Sequence, residues 1–333
     1  MIVNSLVAGK TIPNGEKWTK CPGSPDKRCI NIKHINGLFI TGTNSNGGTW
    51  YSEDGMNWVK TNVPDSIYLN IRCINGKWIG VGSPLDDYIF YYSDDGKTWN
   101  TDNQAYYIEE IIYEAGLYVA WGGSDVLYYS DDCKTWTKAT SALNVNPDSM
   151  IYVNGTFITY ESSYRHTSSN GKTWSRASAP YKINYMKHVN GIIVAGTEDK
   201  GLIYSYDGLN WTQSNIKSGD FRSEIGYAEG LCYTPSTDDI IYTSKDGKTW
   251  TPVTLNFSYD YINNKIVYGN GTFFIYDFLK DSRYYIYRST DDMETFRQID
   301  VDDFAPINPS GIIHARGMWF AASDNGIYYS MSK

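Results

Sequence analysis

The heptapeptide Ser93-Asp94-Asp95-Gly96-Lys97-Thr98-Trp99 decides the fold, because close variants of it return along the whole chain. The other copies occupy residues 52–58, 130–136, 168–174, 205–211 and 244–250, and a longer variant occupies residues 289–296. Successive copies begin about 40 residues apart, which is the length of one four-stranded β-propeller blade. The spacing therefore predicts a ring of similar blades rather than two unrelated domains.

Each copy has the composition of a tight turn, which we call the Ser–Asp turn. Ser and Asp oxygens can accept hydrogen bonds from the backbone N–H groups of the turn, Gly supplies a positive φ, and Trp covers the turn. Because these residues recur so regularly, we interpret them as structural rather than catalytic. They are Ser52, Asp54, Trp58, Ser93, Asp95, Trp99, Ser130, Asp132, Trp136, Ser205, Asp207, Trp211, Ser244, Asp246 and Trp250.

The Ser–Asp turn resembles the Asp-box, or BNR repeat, of sialidases, sortilin-type receptors, a photosystem assembly factor, some lectins and many phage virion proteins. The usual form is S-x-D-x-G-x-T-W, and six of the copies are one residue shorter. Cys133 stands where the repeat has Gly, and Asn170 stands where it has Asp. The resemblance implies a propeller with this turn between the third and fourth strands of each blade. It implies no particular activity, because the repeat occurs in proteins of unrelated function.

A second repeated turn lies upstream of each Ser–Asp turn. Its glycines are Gly37, Gly76, Gly116, Gly155, Gly191, Gly230, Gly271 and Gly317. Several are preceded by Asn, and Asn-Gly between alternating apolar runs is the strongest short signal for a β-hairpin. The eight turns therefore predict eight hairpins, each joining the first and second strands of a blade.

The two chain ends predict how the ring closes. The last unit ends after a third strand near residues 326–330. Residues 14–19, which include Trp18, look like the second half of a Ser–Asp turn followed by the fourth strand that the last unit lacks. We therefore predict an all-β fold with a single β-propeller of eight four-stranded blades, closed by the N-terminal strand. The predicted domain covers residues 1–333, with a closing segment at 1–20 and the blades at 21–333. A seven-bladed ring is the alternative.

Composition and the N-terminal sequence limit the partners and the cellular compartment that we expect for this protein. The net charge of −8 disfavours nucleic acid, whose binding depends on Lys and Arg neutralising phosphates. The N-terminus lacks the features of a signal peptide, and no apolar run is long enough to span a membrane. We therefore expect the protein to be made in the cytoplasm and not inserted into a membrane. If it is a phage protein, we expect it in the virion. Of the five cysteines, only Cys21 and Cys29 are placed to pair, and that pairing is left open.

The candidate catalytic residues have structural explanations. His34, His166, His188 and His314 all occupy repeat columns otherwise filled mainly by aromatic residues, so we expect no metal, no cofactor and no catalytic residue. Sialidases resemble one another in a Phe/Tyr-Arg-Ile-Pro stretch and three arginines that clamp the substrate carboxylate. The chain has no Arg-Ile-Pro string, and lysine does not replace a bidentate arginine well.

A ligand site is expected on the face opposite the Ser–Asp turns, which we call the loop face. It carries the connections between the second and third strands and those leading to the next blade, and such loops often bind ligands. Carboxylates and aromatic rings there could hold a sugar or a protein, although Asp is also a good turn former. The predicted ligand-binding residues are Asp86, Asp87, Tyr106, Tyr107, Asp125, Tyr181, Asp199, Asp238, Tyr259 and Tyr261.

These observations favour a non-enzymatic recognition or structural module that binds a glycan or a protein through the loop face, as part of a larger assembly. The residues of the repeat, as in Tyr92-Ser93-Asp94-Asp95-Gly96-Lys97-Thr98-Trp99, are similar to those of phage virion and tail-associated propellers. Two alternatives are a sialidase-like glycoside hydrolase and a cytosolic assembly factor that binds a protein partner.

Overall fold

The computed structural model describes residues 18–44, 47–67, 69–82, 89–105, 108–122, 126–140, 147–237, 240–253, 261–280, 283–299 and 310–331. Every regular element in these ranges is a β-strand. The strands form eight four-stranded antiparallel sheets arranged in a ring, which is an eight-bladed β-propeller. The prediction of eight blades is confirmed, and the seven-bladed alternative is wrong.

The first four blades take their strands in chain order, and neighbouring strands pair through hydrogen bonds. Blade 1 contains β2 (Cys29–Ile35), β3 (Leu38–Thr43), β4 (Thr49–Ser52) and β5 (Val59–Lys60). Blade 2 contains β6 (Leu69–Ile74), β7 (Lys77–Gly82), β8 (Ile89–Ser93) and β9 (Asn100–Ala105). Blade 3 contains β10 (Glu110–Glu114), β11 (Leu117–Trp121), β12 (Tyr128–Ser130) and β13 (Thr137–Lys138). Blade 4 contains β14 (Met150–Val153), β15 (Thr156–Glu161), β16 (Tyr164–Ser168) and β17 (Ser175–Ser178).

The next three blades follow the same order. Blade 5 contains β18 (Ile183–Val189), β19 (Ile192–Thr197), β20 (Leu202–Ser205) and β21 (Trp211–Gln213). Blade 6 contains β22 (Gly226–Ala228), β23 (Leu231–Pro235), β24 (Ile241–Ser244) and β25 (Thr251–Pro252). Blade 7 contains β26 (Tyr261–Gly269), β27 (Thr272–Lys280), β28 (Arg283–Ser289) and β29 (Arg297–Gln298).

Blade 8 joins the two ends of the chain. It contains β30 (Gly311–Ala315), β31 (Met318–Ser323), β32 (Gly326–Met331) and, as its fourth strand, β1 (Thr19–Lys20). Thr19 pairs with Tyr329 and Lys20 with Tyr328. Trp18 is buried in the same apolar cluster as Tyr328. The predicted closure by the N-terminal strand is therefore confirmed, although residues 1–17 of the closing segment lie outside the described residues.

Type I′ geometry explains the sharp hairpins between first and second strands. In all eight of them, both central residues have positive φ, as in Asn36 (50°) and Gly37 (81°). Three of the eight place a less suitable residue before the glycine: Ala115, Glu229 and Arg316 have φ between 47° and 52°. The repeat thus imposes the turn even where Asn is missing.

The core lies between blades rather than within them. The second strands are sandwiched between the neighbouring sheets, and every residue of Leu38–Thr43 and Ile192–Thr197 is buried. A typical cluster contains Leu38 and Ile40 of blade 1 with Trp78 of blade 2. Each sheet must therefore fit closely against both of its neighbours.

The glycine of the Ser–Asp turn forms the contact with the preceding blade. Gly96 has φ +72°, and a Cβ added there would lie 2.8 Å from Leu38 Cδ2 and 2.9 Å from the Trp78 ring. Gly55, Gly171, Gly208 and Gly247 lie equally close to the second strand of the blade before them. Glycine is therefore needed here both for its backbone conformation and for lack of space.

Two blades fill the same gap with a side chain. Cys133 in blade 3 has φ 61° and Met293 in blade 7 has φ 67°, and both are buried. Cys133 packs with Ile79 of blade 2, and Met293 packs with Leu231 of blade 6. The repeat therefore tolerates a longer residue only where the preceding blade leaves room for it.

The pair Cys21 and Cys29 is not joined. Both thiols are free and buried, in one cluster at the junction of blades 8 and 1. Burial raises the pKa of each thiol to about 12, so neither is a reactive thiolate at neutral pH.

We predict that Gly96→Ala is more destabilising than Gly76→Ala. Both glycines have positive φ, so each substitution should cost about 1–2 kcal/mol for the left-handed backbone. Nothing lies within 4 Å of a Cβ on Gly76, whereas Gly96→Ala also overpacks the blade junction, adding about 1–3 kcal/mol. Urea unfolding of the two variants measures the difference, and equal losses would contradict the spacer role of Gly96.

We also predict that Trp18→Ala lowers the free energy of unfolding by about 3–5 kcal/mol, because it removes a buried indole from the ring-closing blade. Val59→Ala is the control, since Val59 is 51% exposed and should change stability by about 0.5 kcal/mol at most. Thermal or chemical unfolding gives both values. A loss below about 1 kcal/mol for Trp18→Ala would mean that closure contributes little to stability.

Candidate functional site

The Ser–Asp turns are saturated with internal hydrogen bonds. In blade 1, Ser52 Oγ accepts from the Gly55 N–H at 2.9 Å, and Asp54 Oδ1 accepts from the Met56 and Asn57 N–H groups at 2.8 and 2.7 Å. Burial acts to raise the pKa of Asp54, but the bonds from Asn57, Met56 and Ser52 outweigh it and hold that pKa at about 2. The same pattern recurs at Asp207. These carboxylates cap turns and are not poised to exchange protons.

A lysine on each of four turns reaches back to the preceding blade. Lys97 lies over the Tyr51 ring, 5.6 Å from its centroid, and pairs with Glu53. The equivalent lysines Lys134, Lys172 and Lys248 lie over Tyr92, Tyr129 and Tyr204. Sequence reasoning missed this contact, although the Lys column after the glycine and the Tyr column before the serine were both visible. These contacts join neighbouring blades at the Ser–Asp turns.

The first strands line the centre of the ring, where those of adjacent blades contact one another. Polar bonds link them from blade to blade. Arg72 of blade 2 makes two bonds to the Glu110 carboxylate of blade 3. Asn184 Nδ2 of blade 5 donates at 3.0 Å to the carbonyl of Phe221, which lies in the connection to blade 6. Ser310, just before the first strand of blade 8, donates to the Cys29 carbonyl of blade 1. These bonds hold the inner edge of the ring.

Among the cationic side chains of the first strands, Lys33 has the most strongly shifted pKa. Its Nζ donates to the Ile71 carbonyl of blade 2. Burial lowers the pKa of Lys33 to about 8, the nearby Arg72 acts in the same direction, and Glu110 partly opposes them. The lysine therefore serves mainly as a hydrogen-bond donor between blades 1 and 2.

Tyr185 on β18 lies within electrostatic range of carboxylates from neighbouring blades. Burial raises its pKa, and Asp148, Glu110 and Glu224 raise it further, while Arg72 opposes them. Two of these carboxylates are paired with cations, Glu110 with Arg72 and Glu224 with Lys187 at 3.2 Å.

A pocket opens on the loop face between blades 4 and 5. Its volume is about 380 Å³. Blade 4 contributes a residue before β14 and residues at the end of β15, and blade 5 contributes residues at the start of β18 and one after β19. The lining residues are Asp148, Tyr160, Glu161, Ser162, Lys182, Ile183, Asn184 and Glu198.

The blade junction fixes the shape of this pocket. Ser149 Oγ of blade 4 accepts from the Met186 N–H of blade 5 at 2.9 Å and donates to the Asn184 carbonyl at 3.3 Å. Tyr160 is 2% exposed, and its hydroxyl donates to the Gly208 carbonyl at 2.8 Å and accepts from Trp211 Nε1 at 2.9 Å. The walls are therefore held by bonds that cross between the two blades.

Carboxylates dominate the pocket. Lys182 Nζ lies 3.0 Å from Glu198 Oε2. Burial raises the pKa of Asp148, Glu109 adds to the rise, and Arg222 opposes it. Asp148 has no hydrogen bond or ion pair with any residue that the structure describes. Asp148 therefore offers the pocket a carboxylate without a hydrogen-bond or ion-pair partner among the described residues.

The predicted ligand-binding residues fall into three groups. Lys182 and Glu198 line the pocket. Tyr181 directly precedes Lys182 and Asp199 directly follows Glu198, so Tyr181 and Asp199 lie beside the pocket. Tyr261 begins β26, where only the backbone is described. The remaining predictions lie outside the described residues: Asp86, Asp87, Tyr106, Tyr107, Asp125, Asp238 and Tyr259. Sequence reasoning missed Asp148, Glu161 and Lys182, because none of the three belongs to a repeated column or to the aromatic and Asp-rich connections that drew attention.

The structure gives further limits on the chemistry. Within the described ranges, no group of three or more His, Cys, Asp and Glu side chains could hold a metal ion. Among these residues, no helix is long and apolar enough to cross a membrane. The two arginines near Tyr185 and Asp148 are engaged, since Arg72 binds Glu110, and Arg222 donates to Asp220 at 2.7 Å.

Comparison with known proteins shows the fold. No family model matches the sequence, and no curated protein matches it. The structure is similar to the computationally designed Ika8 protein, with a TM-score of 0.61, 8% identity and coverage of 95% of this chain and 100% of the other. It is also similar to Sqt1 of Saccharomyces cerevisiae, with a TM-score of 0.62, 11% identity and coverage of 97% and 100%. YCF48 bound to D1 peptide has a TM-score of 0.51, 13% identity and coverage of 97% of both chains.

We predict that Lys33 makes stability depend on pH in the alkaline range. Its folded pKa of about 8 lies below the ordinary value of 10.5, so the unfolded chain binds more protons between these values. The charge on Lys33 opposes folding below pH 8, and that penalty disappears as the pH rises to 10.5. The stability of the native chain relative to Lys33→Met should therefore increase across this interval.

Urea midpoints of both proteins at about pH 7, 9 and 10.5 measure this trend. Lys245→Met is the control, because it removes a lysine whose side chain is 77% exposed. A pH trend of equal size in both variants would show that the effect is general and not due to the buried position of Lys33.

Proposed function

We propose that this chain is a non-catalytic recognition module that binds a protein partner through its loop face, with the pocket between blades 4 and 5 as the anchor site. The observation that carries the proposal is the cavity of about 380 Å³ on this face. Concave sites with a few convergent polar groups are the usual places for ligands on rigid scaffolds. The bonds from Ser149 to blade 5 hold the cavity in shape before a partner arrives, which reduces the ordering cost of binding.

A protein partner fits this pocket better than a sugar does. Sugar rings stack on exposed aromatic faces, but the only aromatic lining residue, Tyr160, is 2% exposed and its hydroxyl is already bonded on both sides. The other lining groups are carboxylates, an amide, a hydroxyl and an ammonium, with Ile183 as the apolar residue. These groups suit the polar side chains and backbone of a polypeptide.

The structural neighbours support the proposal by analogy of fold. YCF48 has been solved with a D1 peptide bound, so a propeller of similar architecture can hold a peptide. Fold analogy alone does not transfer a partner, because propellers serve many functions. The pocket of this chain provides the independent reason.

A second part of the proposal concerns the family of the repeated turn and the assembly in which the protein acts. We propose that the Ser–Asp turns are Asp-boxes and that the protein is a virion or tail-associated component of a phage, acting within a larger assembly. The support is the resemblance of the seven repeated turns to that family. Detection of the chain at fixed stoichiometry in purified particles would test this context.

We predict that filling the pocket abolishes partner binding. Peptides selected from a random twelve-residue library on the native chain should lose at least about 10-fold in affinity for Lys182→Trp, because the indole would occupy the cavity. The matched control is Lys245→Trp, which makes the same substitution on a Ser–Asp turn of blade 6, where the side chain is 77% exposed. Selected peptides that bind both variants equally well, or an array on which only glycans bind, would contradict the proposal.

A further inference from the structure

We propose that Tyr206 and Lys248, on the Ser–Asp turns of blades 5 and 6, form a second recognition site that binds an Asp or Glu side chain of a protein partner. This site lies on the face opposite the pocket and goes beyond the function proposed for it. Three observations support the site: the carboxylate that is missing beside Lys248, the hydrogen-bond donors that remain there, and the exposed ring of Tyr206.

The repeat itself shows which group Lys248 lacks. On three other turns the equivalent lysine pairs with the carboxylate that directly follows the serine of the preceding turn: Lys97 with Glu53, Lys134 with Asp94 and Lys172 with Asp131. In blade 5 that position holds Tyr206 instead of an acid. Lys248 therefore has no ion pair with any residue that the structure describes, and a carboxylate from outside the chain can take the place of the missing one.

Two kinds of donor remain at this position. Lys248 Nζ donates to the Tyr206 hydroxyl at 2.9 Å, and an ammonium has two further N–H groups. Because the hydroxyl accepts this bond, its own proton is available, and no acceptor for that proton lies in the described part of the chain. The phenol O–H and the ammonium N–H groups thus lie side by side, and one carboxylate can accept from both.

The charge of Lys248 is present at neutral pH. The hydrogen bond to Tyr206 raises the pKa of Lys248 against the opposing effect of burial. Asp246, on the same turn, is already occupied, since its Oδ1 accepts from the backbone N–H groups of Lys248 and Thr249 at 2.8 and 2.7 Å. The net charge of −8 repels an acidic partner at long range, so the site acts through contacts at hydrogen-bond distance.

The ring of Tyr206 supplies the apolar part of the site. Tyr206 is 62% exposed, more than any other large hydrophobic residue that the structure describes. The ring is nonetheless held in place: it meets the Tyr204 ring at 87° with centroids 6.4 Å apart, and Lys248 lies over both rings. A tyrosine fixed in this way offers contact area at low cost in conformational entropy, and tyrosine is enriched at protein interfaces.

A polypeptide fits this site better than an acidic sugar does. In the first three blades the carboxylate reaches the lysine from a polypeptide backbone, through the short stem of an Asp or Glu side chain. A partner's Asp or Glu reproduces that arrangement, whereas a uronic acid carries its carboxylate directly on a rigid sugar ring. We therefore assign the site to a protein partner.

The test uses the full chain with ¹³C-labelled tyrosine rings, in which the Tyr204 and Tyr206 signals are assigned from Tyr204→Phe and Tyr206→Phe. The probes are acetyl-Gly-Glu-Gly amide, its Gln counterpart and methyl galacturonoside, titrated into the millimolar range at about 150 mM salt to screen long-range repulsion. The Glu probe should shift both signals with an affinity at least about 10-fold higher than that of the Gln probe. Methyl galacturonoside should bind at least about 5-fold more weakly than the Glu probe.

Tyr206→Glu should weaken the Glu probe at least about 5-fold, because it restores the internal carboxylate that the other turns use, and the Tyr204 signal reports the binding. Lys248→Gln should weaken the probe by at least the same factor. Lys97→Gln is the matched control: it removes the same charge from the equivalent position of the blade 2 turn, where Glu53 already occupies the lysine, and it should leave the affinity unchanged.

Three results would overturn the proposal: equal binding of the Glu and Gln probes, unchanged binding in Tyr206→Glu, or equal weakening by Lys248→Gln and Lys97→Gln. Methyl galacturonoside that binds as tightly as the Glu probe would overturn the assignment to a protein partner. The site is tested separately from the pocket, since Lys182→Trp should leave the Glu probe bound at Tyr206. Loss of the probe in that variant would place its binding at the pocket and contradict a second site.

Discussion

The contact on which this structure depends is the one between each Ser–Asp turn and the second strand of the preceding blade. Gly96 shows the requirement most clearly, since its positive φ closes the hairpin and its missing side chain admits Leu38 and Trp78. The same contact closes the ring, where Gly55 of blade 1 meets Phe320 of blade 8. A single short motif thus sets both the shape of a blade and its distance from the next one. For this reason the motif recurs so strictly while the rest of each blade varies.

Hydrogen bonds and ion pairs at the inner edge of the ring fix the relative orientation of the packed blades. Apolar contacts between sheets are not directional, but the bonds from Arg72 to Glu110 fix how the first strands of blades 2 and 3 sit against one another. Asn184 of blade 5 likewise donates to the Phe221 carbonyl in the connection that leads to blade 6. Blades held at both the outer turn and the inner strand cannot easily slide or splay. The loop face therefore lies on a rigid frame, and a pocket formed between two blades keeps its shape without a ligand.

Sequence periodicity predicted the blades well because one hairpin signal and one turn signal repeat with every blade. The junctions were harder to predict. Arg72 and Glu110 occupy different positions of neighbouring blades, and a repeat alignment shows what each blade shares rather than what touches across the gap. The pocket was missed for the same reason, since Glu161 and Lys182 come from different blades and neither belongs to a repeated column. The aromatic and Asp-rich loops drew attention instead, because turn formers and binding residues have overlapping compositions.

A ring of near-equivalent blades offers the same surface many times, so a specific site must come from a departure from the repeat. Blade 4 departs from the repeat at His166, which takes a position that Tyr, Trp or Ile fills in the other blades. His166 Nε2 lies 3.9 Å from Oε2 of Glu161, a residue that lines the pocket. The repeat explains the scaffold, and the residues that break the repeat are where recognition can differ from blade to blade.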